Sequence, residues 1–305
     1  MTPLLTLLLA LALDAPFGDP PNRFHPVAAI GAFIRWAAAR APARGPARQF
    51  IYGAMLTLIG AAIFSLPLVA LDNLLRPYPW LAVPINAVLL KLAFSMRRLL
   101  EAGREVERAL EKDELTEARR AVGWHLVSRD TRTLGAGHVA SAAVESLAEN
   151  LTDSFVAPLL AFALGGLPLA WAYRFVNTAD AMIGYHDTRH EYLGKFAARL
   201  DDALNWIPAR LSALLIVLAA PMARSNGRNA WGVMIAQHAR TASPNAGWPM
   251  SAAAGALGVT LEKIAHYRLE GGPRWPDAHT LRRARRLVFT AAALGSAAAA
   301  LLCWR

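Results

Sequence analysis

Three acids set one helical turn apart are the first residues to suggest chemistry. In the segment SAAVESLAENLTDS, Glu145, Glu149 and Asp153 recur at a spacing of four, which on a helix puts them on one face. Ser146, Asn150 and Ser154 repeat that spacing on the adjacent face. Like charges stacked this way destabilise a helix by about 0.2–0.5 kcal/mol per pair. A face that is merely solvated mixes lysine among its acids. An all-acid stripe running into an apolar segment points instead to a cation, or a cationic substrate, beside it.

Other segments combine acids with amides or bases. AYRFVNTADAMIGYHDTRH sets Tyr173, Asn177, Asp180 and Gly184 along one helical stripe, with Tyr185 following. An ionisable group such as Asp180 at a membrane face is costly and reads as functional. The plain alternative, a hydrogen-bonded helix pair, suits Asn177 better than Asp180. LGKFAARLDDALNWIPAR places the adjacent Asp201 and Asp202 near Lys195, Arg199, Asn205 and Arg210. Paired carboxylates beside bases hold Mg²⁺ and phosphate together. SPNAGWPMSAAAGALGV is a stiff turn that opens a small-residue helix. Ser243 or Asn245 there either caps the helix or meets an anion at its N-terminus, and Trp248 either packs or stacks on a large planar ligand. LDAPFGDPPNRFHP holds Asp14, Asp19 and His25 at the end of an apolar run. A proline-stiffened turn accounts for that segment without function, and a cation or ligand site is the alternative. The histidines have no ligand-like mutual spacing, which argues against zinc, and the single Cys303 excludes a disulfide within the chain.

The elements that must position these groups are membrane helices. Of 305 residues, 55% are hydrophobic, and the mean hydropathy is +0.30, more apolar than is usual for a soluble domain of this length. The apolar residues gather in runs split by arginine-rich stretches, the pattern of spans and aqueous loops. Residues 50–71, 80–96 and 287–304 are span candidates. Residues 155–173 are interrupted by Gly165, Gly166 and Pro168, and residues 207–222 are bounded by Pro208 and Pro221. The short run 4–13 reads as a retained, membrane-associated helix. Residues 97–130 mix glutamate and arginine at helical spacing and read as a soluble amphipathic insertion. The expectation is an all-α polytopic membrane protein with about four to six membrane segments, some broken or re-entrant, forming one membrane domain over 1–305. The net charge of +10 sits on arginines that flank apolar runs, so it sets topology and does not imply nucleic-acid binding.

Five blocks, LDAPFGDPPNRFHP, ESLAENLTDSFVAPL, YRFVNTADAMIGY, ARLDDALNWIPARL and SPNAGWPMSAAAGALGV, resemble in matching order the signature segments of the adenosylcobinamide-phosphate synthases, the CobD/CbiB-type membrane proteins of cobalamin biosynthesis. The resemblance implies a ligase that consumes ATP. Such enzymes join the free propionate of adenosylcobyric acid, a corrinoid, to (R)-1-amino-2-propanol or its O-phosphate. On that reading Glu149, Asp153, Asp180, Asp201 and Asp202 are the catalytic candidates, and Asp153, Asp180, Asp201 and Asp202 the candidates for Mg²⁺. Asn150, Asn177, Tyr185, Lys195, Arg199, Asn205, Arg210, Ser243, Asn245 and Trp248 are candidates for holding phosphate, carboxylate or an amide-rimmed corrin. The resemblance makes the bilayer and other membrane enzymes of the pathway the candidate partners, and 97–130 is the most soluble-looking surface. The rival readings are a cation-coupled transporter, against which no inverted repeat is visible, and a non-catalytic membrane sensor.

Loops 14–49, 97–154 and 223–287 carry five, nine and ten Lys or Arg, against four in 172–206. The first three therefore read as cytoplasmic. ATP is cytoplasmic, so the five blocks are expected on that side of the cell inner membrane, with the two interrupted runs forming a re-entrant unit. A cysteine introduced by His190→Cys is then expected to react with an impermeant thiol reagent from the cytoplasmic side. Labelling from the outside alone would contradict the arrangement.

Overall fold

The computed structural model describes residues 2–184 and 191–304. Helix α1 spans Thr2–Phe17 and α2 Pro26–Ala38. His25 opens α2, its Nδ1 accepting from Val27 N at 3.2 Å, with Pro26 in the first helical position. α3 (Pro46–Leu75) and α4 (Pro79–Lys91) also start on proline, where the missing N–H has no intrahelical partner to lose. α5 (Met96–Glu111) and α6 (Leu115–His125) follow. α7 (Ala136–Leu151) passes through a π turn, Thr152–Val156, into α8 (Ala157–Ile183). Then come α9 (Lys195–Leu204), α10 (Trp206–Met222), α11 (Gly227–Gln237), α12 (Gly247–Leu257), the strands β1 (Thr260–Lys263) and β2 (Tyr267–Glu270), and α13 (Ala278–Cys303).

The chain is an all-α polytopic membrane protein. Among the described residues, four helical stretches are long and apolar enough to cross a bilayer: Pro46–Leu75, Pro79–Glu111, Ala136–Ile183 and Ala278–Cys303. The bent pair Lys195–Leu204 and Trp206–Met222 makes a fifth if it counts as one span. The expected interruption lies where the glycines are. Gly165 (φ −144°) and Gly166 (φ 68°) leave the helical region inside α8, and a positive φ is cheap only without a Cβ. The β1–β2 hairpin has no counterpart in the sequence reading. Four-residue strands closed by a three-residue turn give too short an alternation to stand out beside helical patterns.

The chain divides into two compact units. The first comprises residues 1–95, 157–205 and 298–305. In it α1 packs on α4, α2 and α3 pack on α8, and α9 packs on α3 and α8. Phe33, Phe64 and Phe175 form its aromatic centre, with ring centroids 5.6–6.1 Å apart. Gly60 lets α3 close on that centre, because a Cβ there would lie 2.0 Å from Phe175 Cζ. Met55, Leu58, Ile63 and Leu66 of α3 stay exposed, as a lipid-facing surface requires.

The second unit comprises residues 96–156 and 206–297. Its centre is α7 and α12, both buried along most of their length and rich in Ala, Ser and Gly, which allow close backbone approach. α7 packs against α5, α6, α12 and β1, while α10 and α11 pack on α12. The hairpin is tied down by Glu262 N, which donates to Ser141 Oγ of α7 at 2.7 Å. Glu107 of α5 is buried and meets both Arg282 and Arg285 of α13. That arginine run therefore makes tertiary contacts besides marking topology.

Overpacking a tight helix crossing costs about 1–3 kcal/mol. Gly60→Leu should lower the melting temperature in detergent clearly, whereas Gly232→Ala, whose Cβ meets nothing within 4 Å, should leave it unchanged or raise it.

Candidate functional site

In the first unit, α8 and α9 converge on a carboxylate. Asp201, one turn before the end of α9, is buried. Its Oδ2 accepts from Asn205 Nδ2 at 2.9 Å and its Oδ1 from Asn177 Nδ2 at 3.3 Å. Tyr173 Oη donates to Asn205 Oδ1 at 2.9 Å, and Arg174 Nη1 to Asn177 Oδ1 at 3.3 Å. Tyr173 and Asn177 fall one turn apart on α8, which is why both reach α9. Asp202 points to a more open side, where Arg199 is the nearby charge acting on it. Lys195 is exposed and pairs with Glu191 at 3.8 Å. Asp180 is half-buried near the end of α8, close to Gly184. Tyr185 lies outside the described residues.

The same unit holds an ion cluster at the end of α1. Lys91, with only 6% of its side chain exposed, binds Asp19 and lies 3.5 Å from Asp14. Ser95 Oγ donates to Asp19 Oδ2 at 2.6 Å, and His25 Nε2 is 3.8 Å from Asp19 Oδ1. Burial pushes the Asp19 carboxyl upward, but His25, Lys91 and Ser95 together hold it well below the usual carboxylate range. This segment is thus more than a stiff turn.

In the second unit, α7 presents Glu145 and Glu149 to a cavity of about 260 Å³. Ser141 Oγ donates to Glu145 Oε1 at 2.6 Å and Tyr267 Oη to Oε2 at 2.7 Å. Burial, and then the charge of Glu145, push the Tyr267 hydroxyl far above its ordinary value, so it stays a donor. Arg129, from the loop after α6, lies 3.8 Å from Glu145 and also lines the cavity with Ser146 and Lys263. Asn150 does not face it as a free amide. Its Nδ2 donates to Ser146 O and Oγ, and its Oδ1 accepts from Ser154. Asp153 sits on the π turn, where a spacing of four no longer stacks side chains, and it is not among the cavity walls.

A cation–aromatic group occupies the same unit. Arg210 Nη1 donates to Trp206 O at 2.7 Å and to Asn245 Oδ1 at 3.2 Å. Its guanidinium lies 4.3 Å from the Trp206 ring and 4.8 Å from that of Trp248, and Trp248 stacks on His238 at 3.8 Å. Ser243 Oγ accepts from Asn245 N and Ala246 N, closing the turn before α12. The packed indole expected of Trp248 is present, whereas neither Ser243 nor Asn245 caps α12, whose N-cap is Ala246 without a side-chain bond, because Ser243 closes the turn before it.

A model of CobD/CbiB proteins matches residues 7–288. The chain belongs to the CobD/CbiB family. It is 46% identical over 267 residues to the cobalamin biosynthesis protein CobD of Dehalococcoides mccartyi, covering 87% of this chain and 86% of that one. It is 42% identical over 302 residues to the probable cobalamin biosynthesis protein CobD of Methanothermobacter thermautotrophicus, covering 97% and 98%. It is 41% identical over 256 residues to that of Geobacter metallireducens, covering 84% and 80%. No solved structure matches it.

Lys91, Arg129, Lys263 and Tyr267 of this CobD/CbiB chain are among the residues that stand at these groups without having been singled out by sequence, as are Ser95, Ser141, Arg174 and Trp206. Lys91 had a usable signal, being a lone charge at the end of an apolar run. Arg129, Lys263 and Tyr267 had none, since loop and hairpin carry them to α7 from far away in sequence. Among the described residues, no three His, Cys, Asp or Glu gather closely enough to hold a metal by themselves.

Lys91→Met would remove the ammonium group that Asp14 and Asp19 share, and breaking a buried pair this way costs about 3–5 kcal/mol. Because the folded Asp19 carboxyl is depressed, its stabilisation is complete above the unfolded value of about 3.9 and is lost as pH falls below it. The gap in melting temperature between wild type and Asp19→Asn should be flat above about pH 5 and close at lower pH.

Proposed function

We propose that this CobD/CbiB protein acts in cobalamin biosynthesis as the ATP-dependent ligase that joins adenosylcobyric acid to (R)-1-amino-2-propanol or its O-phosphate. The observation that carries the reading is the Asp201 group, a buried carboxylate gripped by two side-chain amides from α8 and α9 in a chain of this family. A carboxylate acylates an amine only after its oxygen becomes a leaving group. Attack of the corrinoid carboxylate on the γ-phosphorus releases ADP and leaves an acyl phosphate. The amine nitrogen then attacks the acyl carbon, the C–O bond breaks, phosphate departs, and the amine gives up its protons to a base and to solvent.

The residues of this chain have three tasks in that sequence. Bases take up charge on the phosphoryl group, and Arg210, held between two indole rings, is a pre-oriented cation of that kind. Apolar walls exclude water from the acyl phosphate. Acids hold the amine and accept its proton. Mg²⁺, when bound, would offset the charge of the phosphates. It needs only one or two protein carboxylates besides phosphate oxygens, and Asp201 and Asp202 would be the ones to supply them. The same chemistry places the site on the cytoplasmic side of the inner membrane.

Membranes containing the wild-type chain should form the corrinoid amide only with ATP present. Asp201→Ala and Arg210→Ala should each lower the rate by about 10²–10³-fold, with protein levels unchanged. Wild-type rates in both variants, or amide formation without ATP, would overturn the proposal.

A further inference from the structure

The cavity beside α7 is too small for either large reactant of the proposed reaction. At about 260 Å³ it lies below the ~300–1,000 Å³ of pockets that take drug-sized ligands. It cannot enclose a corrin or a nucleotide. It can enclose a molecule of few heavy atoms.

Its walls carry both charges, and Arg129 meets Glu145 at 3.8 Å where they join. One side is acidic, with Glu145 and Glu149 a single turn apart on α7. The other is basic, with Arg129 from the loop after α6 and Lys263 from the end of β1. The acid side is fixed in place. Glu145 is buried, its two oxygens held by Ser141 and Tyr267, and Tyr267 is anchored by its pairing opposite Lys263. The basic side is incomplete. Arg129 Nε is buried and has no acceptor among the described residues. A buried N–H of a charged group is costly to leave without an acceptor, so an anion arriving there recovers that loss.

We infer that this cavity binds a small dipolar molecule, its ammonium group held by Glu149 and its anionic group by Arg129 and Lys263. Glu145 is the positioning residue and Glu149 the one that touches the ammonium group. The inference rests on the ligation reading above, in that the molecule is the amine-bearing reactant. The phosphate–ammonium pair also occurs in phosphatidylethanolamine, and the free molecule is the occupant proposed here, since the mostly polar walls offer acyl chains little apolar surface.

Calorimetry on the full chain in phosphatidylethanolamine-free nanodiscs tests this with three probes: 2-aminoethyl phosphate, ethanolamine, and ethyl phosphate. The first should bind tightest. Glu149→Gln should weaken the two amine probes at least about tenfold and leave ethyl phosphate unchanged. Arg129→Ala should weaken the two phosphate probes and leave ethanolamine unchanged. Circular dichroism melts identify any variant that fails to fold, for which Lys263→Met replaces Arg129→Ala and Glu149→Asp replaces Glu149→Gln. No binding by wild type, or an equal effect of both variants on all three probes, overturns the inference. Competition by phosphatidylethanolamine nanodiscs would overturn the free molecule as occupant. Binding is read without ATP or corrinoid, so failure of the ligation assay and failure of this subsite are separate results.

Discussion

A carboxylate beside a hydrocarbon layer must be met by donors, and meeting that demand ties each unit of this protein together. In the first unit Asp19 is met by Lys91 and Ser95, and Asp201 by Asn177 and Asn205. In the second, Glu145 is met by Ser141 and Tyr267, and Glu107 by Arg282 and Arg285. Apolar packing supplies little direction between helices in lipid, because the tails are as apolar as the side chains. Polar pairs of this kind select which helix faces meet. The cost of leaving one partner bare makes each pairing specific.

The same polar groups bear on chemistry. A reaction that passes through an acyl phosphate needs fixed dipoles that do not have to reorganise and surroundings that keep water away. Side-chain amides clamped on Asp201, and an arginine held by a carbonyl and two indoles, are dipoles and charge of that sort. Neither group is spread on a loop tip. Each stands on helices already constrained by packing.

Much of this was legible in the sequence because helical periodicity reports local geometry. Tyr173 and Asn177 share a stripe, and both reach α9. Glu145 and Glu149 share a stripe, and both face one cavity. The break at Gly165 and Gly166 followed from two glycines and a proline inside an apolar run. The spacing argument stopped at Asp153, where an unforeseen π turn changes the period. It also could not foresee Arg129, Lys263 or Tyr267, because nothing local marks a residue whose partner lies on another element. Ser146, Asn150 and Ser154 form a hydrogen-bonded ladder along their own helix, an outcome their spacing allowed but did not distinguish from ligand binding.

The long sequence separation between Glu145 and Tyr267 has a consequence for biosynthesis. They are 122 residues apart. At about 5–20 residues per second, the ribosome makes the tyrosine about 6–24 s after the glutamate. During that interval α7 has no hairpin to lie against, and Glu145 lacks one of its two donors. The segment must wait at the aqueous surface, or under the care of the insertion machinery, before it settles against α12 and β1. The second unit therefore closes late, and its small polar chamber is among the last parts of the protein to exist.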